Sequence, residues 1–246
     1  MLAVFVHVGQ TPNISPYGKK PIFSNGTFKF VKIFVDNPRL PLDPTYEELK
    51  LGDWVPLENR ILSAYNSPEF ETLTYNHVTR PGQGHVYERL RSEGGFMFFF
   101  STLFFHGNEA PIMPEISSNR GAFIIGYFKT EGIYTTDEIE ESGKLQDRFK
   151  ANGGLGQVDE NGKQVPIDLW ICGSKGQLLP KAVPLTSPSN YLQWNQFSKD
   201  CLTTSGVKSL GNYSRAFYNW TLVCPEKNFA RLQEWIYRFS GIDFLK

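Results

Sequence analysis

The chain has 246 residues, of which 40% are hydrophobic, 15% aromatic and 20% charged, and its 25 basic residues balance its 25 acidic ones. That length and apolar content suffice for a core without disulfide or metal staples, and they exclude an intrinsically disordered chain. Zero net charge excludes a protein that coats nucleic acid through a general basic excess, so any such contact has to be local.

Leu2–Val8 is apolar on both faces and reads as a buried central strand ending at Gly9. It is too short and too poorly flanked for a signal sequence. No apolar run approaches the roughly 18–20 residues that span a membrane. A cytoplasmic protein that does not engage the membrane is therefore expected. Cys172, Cys201 and Cys224 are odd in number and widely spaced, which fits buried thiols in a reducing compartment.

A Pro/Gly-rich loop follows Gly9, and Asn25-Gly26 signals a turn before a second strand over Thr27–Val35. Residues 36–84 are loop-rich and long for an unstructured connection, so they are expected to pack on the core or cover a site. Val86–Ser92 reads as a short helix stopped by Gly94-Gly95. Phe96–Phe105 (FMFFFSTLFF) is the most apolar segment, and its aromatic content favours a core strand over a helix. Gly121–Thr130 is its expected neighbour. Thr135–Phe149 reads as a helix, because Thr135 and Glu138 have capping-box spacing. Residues 131–165 are taken as an excursion from the sheet. Ile167–Gly173 is a strand, Leu178–Leu185 is extended or partly helical, and Pro188–Cys201 holds a helix. Tyr218–Val223 is the last strand. Glu226–Phe239 is the clearest helix, with Phe229, Leu232, Ile236 and Phe239 in one stripe and Ser240-Gly241 as its stop. The order implies an α+β chain forming one domain over 1–246.

Catalytic signatures are absent: no GxSxG, GxxxxGK[ST], HExxH or GxGxxG occurs. The four histidines, His7, His77, His85 and His106, never stand at metal-ligand spacing, so no metal site or cofactor is expected. His7, within a buried strand, reads as a hydrogen-bonded core histidine. Asp168 either faces a pocket or lies on the polar side of an edge strand.

GGFMFFFSTLFF (94–105) followed by RGAFIIGYFKTEGIYT (120–135) resembles the paired core strands of the PUA-like superfamily, which includes the EVE, YTH and ASCH domains. IDLWICGSKGQLLPKAVPLTS (167–187) is similar to a stretch of the nucleotide-modification-associated domains of the third type. The segments VHVGQTP (6–12), PIFSNGTFKFVKI (21–33) and SPEFETLTY (67–75) also look like that family. The resemblance implies a strongly bent mixed β-sheet or barrel with flanking helices. It also implies a pocket for a flipped or modified nucleobase in a DNA modification or restriction setting, with other proteins of such a system as partners.

A base held outside its stack needs aromatic faces and polar groups that read its edge. Tyr17, Phe104, Tyr127, Trp170 and Trp194 are candidate faces, and Gln10, Asn13, Ser101 and Asp168 candidate edge readers. Gly9 and Gln10 leave the first strand where the pocket is expected, with Ser101 and Trp170 in or beside it. Local positive charge is available from Lys19, Lys20, Lys29, Lys32 and Arg39, or from Arg80, Arg89, Arg91 and Arg120. Three readings compete. The first is a module that recognises a modified base in DNA. The second is an enzyme acting on a nucleotide or base, with His7, His106 and Asp168 for acid–base work. The third is a non-catalytic interaction subunit.

Overall fold

A computed structural model describes residues 1–8, 20–30, 33–34, 45–52, 55, 57, 60–61, 64–65, 68–77, 83–106, 120–152, 169–187, 193–204, 210 and 221–246. In chain order these contain β1 (Leu2–His7), β2 (Pro21–Phe23), β3 (Ile33–Phe34), β4 (Ala64–Tyr65) and β5 (Thr74–His77). Helix α1 (Gly84–Glu93) leads into β6 (Gly95–His106) and β7 (Arg120–Tyr134). Then come α2 (Thr136–Glu140), α3 (Gly143–Phe149), β8 (Leu169–Pro184) and α4 (Gln196–Cys201). β9 (Thr203–Thr204), β10 (Leu222–Pro225) and α5 (Phe229–Ser240) complete the described elements.

The architecture is mixed α+β. An open sheet runs in the order β5-β8-β7-β6-β1-β10-β9, with β2 also on β6. Most pairs are antiparallel; β1 and β2 run parallel to β6. The expected neighbours FMFFFSTLFF and GAFIIGYFKT pair in register as β6 and β7.

Both faces of this sheet are buried, because β1 and β6 are apolar at successive positions rather than alternate ones. One face carries Ala3, Phe5, Phe96, Phe98, Phe100 and Tyr127. It is covered by α5 and by Phe244, whose ring lies edge-on to Phe96 and Phe98 at 5.0 and 5.1 Å. The other face carries Val4, Val6, Met97, Phe99, Leu103 and Phe128, covered by α1 through Val86 and Leu90 and by Phe28, Phe30 and Phe70. A register shift in β7 opposite Phe99 and Phe100 puts Ile124 and Tyr127 on the same face although they are three residues apart. Gly95 starts the β1–β6 pairing at φ 155°, and a Cβ there would collide with the Leu2 carbonyl.

Several boundaries differ from the sequence reading. The second strand is Pro21–Phe23, ahead of the Asn25-Gly26 turn; of the expected Thr27–Val35 strand, Phe28 makes a single bridge back to Ile22 and Ile33–Phe34 is the described strand. The cause is local: the Asn25 side chain accepts from both the amide and the hydroxyl of Thr27, and Phe23 bonds back to Thr27. The expected helix over 135–149 is two. Thr135 and Glu138 do form a capping box, but Ser142 caps a new start by accepting from the Leu145 amide. Leu169–Pro184 is one long strand rather than two segments, and β7 extends to Tyr134 inside the expected excursion. Helix α4, capped by Asn195, falls in the expected 188–201 segment, of which 188–192 lie outside the described residues; of the expected last strand, 218–220 lie outside them too, and β10 is Leu222–Pro225. Among the described residues no helix is long and apolar enough to cross a membrane.

In α5, Phe229, Leu232 and Ile236 are buried, Phe239 is partly buried, and Gly241 closes the helix in the left-handed conformation. Ile236→Ala should cost roughly 2–5 kcal/mol by denaturant unfolding, the range of large-to-small core changes. A loss below about 0.5 kcal/mol would show the stripe to be surface.

Candidate functional site: a buried amine at a gap between two parallel strands

β1 and β2 share one edge of β6 without meeting. β1 pairs with Gly95–Phe100 and β2 with Phe104–His106, so Ser101, Thr102 and Leu103 lie between them. At about 3.3 Å per residue this gap is roughly 10 Å long. The Val8 amide still bonds to Phe100, and Phe104 bonds to the Lys20 carbonyl, so the gap has defined ends.

Polar side chains gather there from both faces of the sheet. Ser101 is on the face of Met97 and Phe99, and its hydroxyl donates to the Val8 carbonyl at 2.9 Å. Lys20 reaches the same spot: its Nζ donates to Ser101 Oγ at 3.1 Å and to the Val8 carbonyl at 3.4 Å. The Phe30 ring lies beneath, 5.5 Å from Nζ. On the opposite face, with Ala3 and Phe5, His7 points its Nε2 at Thr102 Oγ1 (3.5 Å) and sits edge-on to Phe100.

The unusual member is Lys20. It is only 5% exposed, and no described carboxylate pairs with it. Burying an unpaired ammonium is costly, so the neutral amine is favoured. Burial accordingly brings the Lys20 pKa from 10.5 down to about 7. His7 moves the same way: burial first, then the nearby Lys20 charge, lower it from 6.5 to about 3. Perturbed groups of this kind concentrate where ligands or reactions are handled.

Of the residues expected at a pocket, Ser101 and Phe104 flank this gap. Phe104 pairs with Pro21, and the Arg120 guanidinium lies 5.9 Å from its ring centroid. Gly9, Gln10, Asn13, Tyr17 and Asp168 lie outside the described residues. Tyr127 is instead core, packed against Phe98 and Phe244. Trp194 is buried on the same face.

Trp170 does not stand beside Ser101, and that expectation is corrected. It pairs with Tyr134 at one end of β7, whereas Ser101 pairs with Phe123, eleven residues away and roughly 35 Å along the strand. It is 1% exposed, lies edge-on to Phe149 at 5.3 Å and donates its indole N–H to Thr136. Its faces are occupied by protein.

Among the basic candidates, Arg89 and Arg91 are engaged with Glu93 and Glu138 on the surface. Lys19, Lys32, Arg39 and Arg80 lie outside the described residues. His106 ends β6, edge-on to Phe23. Among the described residues no cluster of His, Cys, Asp and Glu has the makings of a metal site. The sequence reading missed Lys20 as a site residue, because a lysine beside another lysine in a Pro/Gly loop looks like surface charge.

The pKa directions fix a pH dependence. Between about pH 7 and 10.5 the unfolded chain keeps the Lys20 proton and the folded one does not. Stability from this group therefore rises with pH across that window and is lowest below pH 7. Lys20→Met removes the buried charge. It should be more stable than wild type at pH 6, by up to about 5 kcal/mol, and the advantage should vanish toward pH 10.5. Unfolding curves for the two proteins across that range check it; a pH-independent difference would contradict it. His7→Phe should likewise weaken the loss of stability as pH falls below 6.5, because the unfolded imidazole takes up the proton that the folded one resists.

Comparison of the chain with protein-family models, curated proteins and solved structures finds no match.

Proposed function

We infer that the chain is a nucleic-acid-binding module of PUA-like type that recognises a base, in particular a modified base in DNA, as a cytoplasmic component of a modification or restriction system. The observation that carries this reading is the gap on β6. There a hydroxyl, an amine, an imidazole and a second hydroxyl stand within an otherwise apolar, aromatic-rich stretch of β1 and β6. A planar ligand with a polar edge needs that combination: donors and acceptors for its edge, apolar rings for its faces. Phe30 supplies a ring on the Lys20 face; on the opposite face, with His7 and Thr102, Phe104 carries the Arg120 guanidinium against its ring. Neutral net charge fits a reader whose discrimination lies in contacts to the base rather than to the backbone.

One observation favours a second reading, an enzyme acting on a nucleotide or base. An amine with a pKa of about 7 exchanges protons readily at neutral pH, as general acid–base catalysis requires.

The test is binding of short oligonucleotides carrying different modified bases, measured at several salt concentrations. Wild type should prefer one modified base over its plain counterpart. Lys20→Met, if folded, should weaken that preference about ten-fold or more, the loss expected for a charge-assisted or buried hydrogen bond. Trp170→Ala should lower stability and leave the preference intact in the folded fraction. Absence of any base preference, together with absence of salt-dependent DNA binding, would favour an interaction subunit instead.

A further inference from the structure

We propose that the groove between α1 and the β9–β10 end of the sheet binds an amphiphilic anion, with an aliphatic chain on its floor and a carboxylate head between Lys199 and Lys227. The inference is independent of the base-reading proposal. The groove starts at Leu2 and the gap on β6 follows Val8, six residues or roughly 20 Å along β1.

The groove exists because the two faces of the sheet are covered unequally at this end. On the face of Ala3 and Cys224, α5 packs over the strands through Phe229, Leu232 and Ile236. On the other face, α1 closes over Leu2 and Val4 through Val86 and Leu90. Pairing places Pro225 opposite Leu2 and Thr203 opposite Val223, so these four residues share that face. Pro225, Thr203 and Val223 stay only partly buried. The space left above them is about 620 Å³. That lies within the roughly 300–1,000 Å³ of small-molecule sites.

The floor decides the body of the ligand. Leu2, Val86, Val223 and Pro225 are aliphatic, and no Phe, Tyr or Trp is among the described lining residues. Such a floor suits an alkyl chain and gives a planar base nothing to stack on.

The rim decides the head. Each carboxylate there already has a cation: Arg89 holds Glu93, Arg231 holds Asp200, and the Met1 amine holds Glu226. Lys199 and Lys227 also line the groove, are exposed, and make no ion pair among the described residues. They come from α4 and from the turn Glu226–Asn228, which are tied together where the Asn228 side chain donates to the Cys201 carbonyl. A cation in the last turn of α4 is favoured by the helix itself, but Lys227 precedes α5, at the helix end that favours anions. Two ammoniums without a carboxylate, beside an apolar floor, complement an anionic head on an apolar tail.

The probe is monomeric octanoate, titrated into ¹⁵N-labelled protein. Amide shifts should change saturably along Lys199–Thr204, along Val223–Asn228 and on α1. Octanoate should bind at least about ten-fold more tightly than acetate, a ratio that burial of two methylenes supplies. It should bind about five-fold more tightly than 1-octanol, the upper range for an exposed ion pair. Lys199→Gln together with Lys227→Gln alters two exposed side chains. It should bring octanoate down to the octanol level and leave stability and octanol binding unchanged. Absence of saturable octanoate binding, or shifts confined to other parts of the chain, would overturn the inference. So would acetate, octanol or octyltrimethylammonium binding as tightly as octanoate, or full octanoate affinity in the double variant.

Discussion

The structure depends on one constraint: β6 is apolar on both faces and must be screened from water on both. Ten of its twelve residues are buried. A strand of this kind needs a layer above and a layer below, as well as partners on both edges. Helix α5 and the C-terminal Phe244 provide one layer, and α1 with Phe28, Phe30 and Phe70 the other. One edge is filled along its length by β7. The other is shared by two short parallel strands, because β1 ends at His7 while β6 continues to His106. The gap between them is thus a product of strand lengths, and buried backbone groups at its rim need partners. Lys20 and Ser101 supply them to the Val8 carbonyl.

That solution is not the cheapest one. A hydroxyl alone satisfies the carbonyl, and an apolar side chain in place of Lys20 would avoid burying an amine. The chain instead holds a lysine with no described acidic partner under an aromatic ring. The resulting shift in pKa destabilises the fold at neutral and acid pH relative to an uncharged side chain there. Proteins accept such local costs at functional sites more readily than elsewhere.

Much of the fold was legible in the sequence. The run FMFFFSTLFF announced a core strand through aromatic content and its Gly boundary, and its pairing with GAFIIGYFKT followed. The stripe of α5 and the Thr135–Glu138 capping box are local patterns that survive into the structure. What failed depended on distant parts of the chain. Gly173 and Gly176 look like a break in β8, but they are the places where β7 approaches too closely for a Cβ. Parity along a strand indicates the face a side chain occupies, not its position across a sheet, so the shared parity of Asp168 and Trp170 does not bring Trp170 to Ser101. Lys20 is buried through contact with Ser101, 81 residues away in sequence. No local pattern encodes that, and a Lys-Lys pair in a loop points the other way.

The central claim is that burial lowers the Lys20 pKa to about 7 in the folded protein, so that about half of the amine is neutral at pH 7. The direct measurement is an NMR titration of the Lys20 Cε and Nζ resonances, assigned by comparison with Lys20→Arg. The account predicts a midpoint near 7 for this one lysine, separated from the other lysine signals. A Lys20 midpoint that coincides with the others would contradict it.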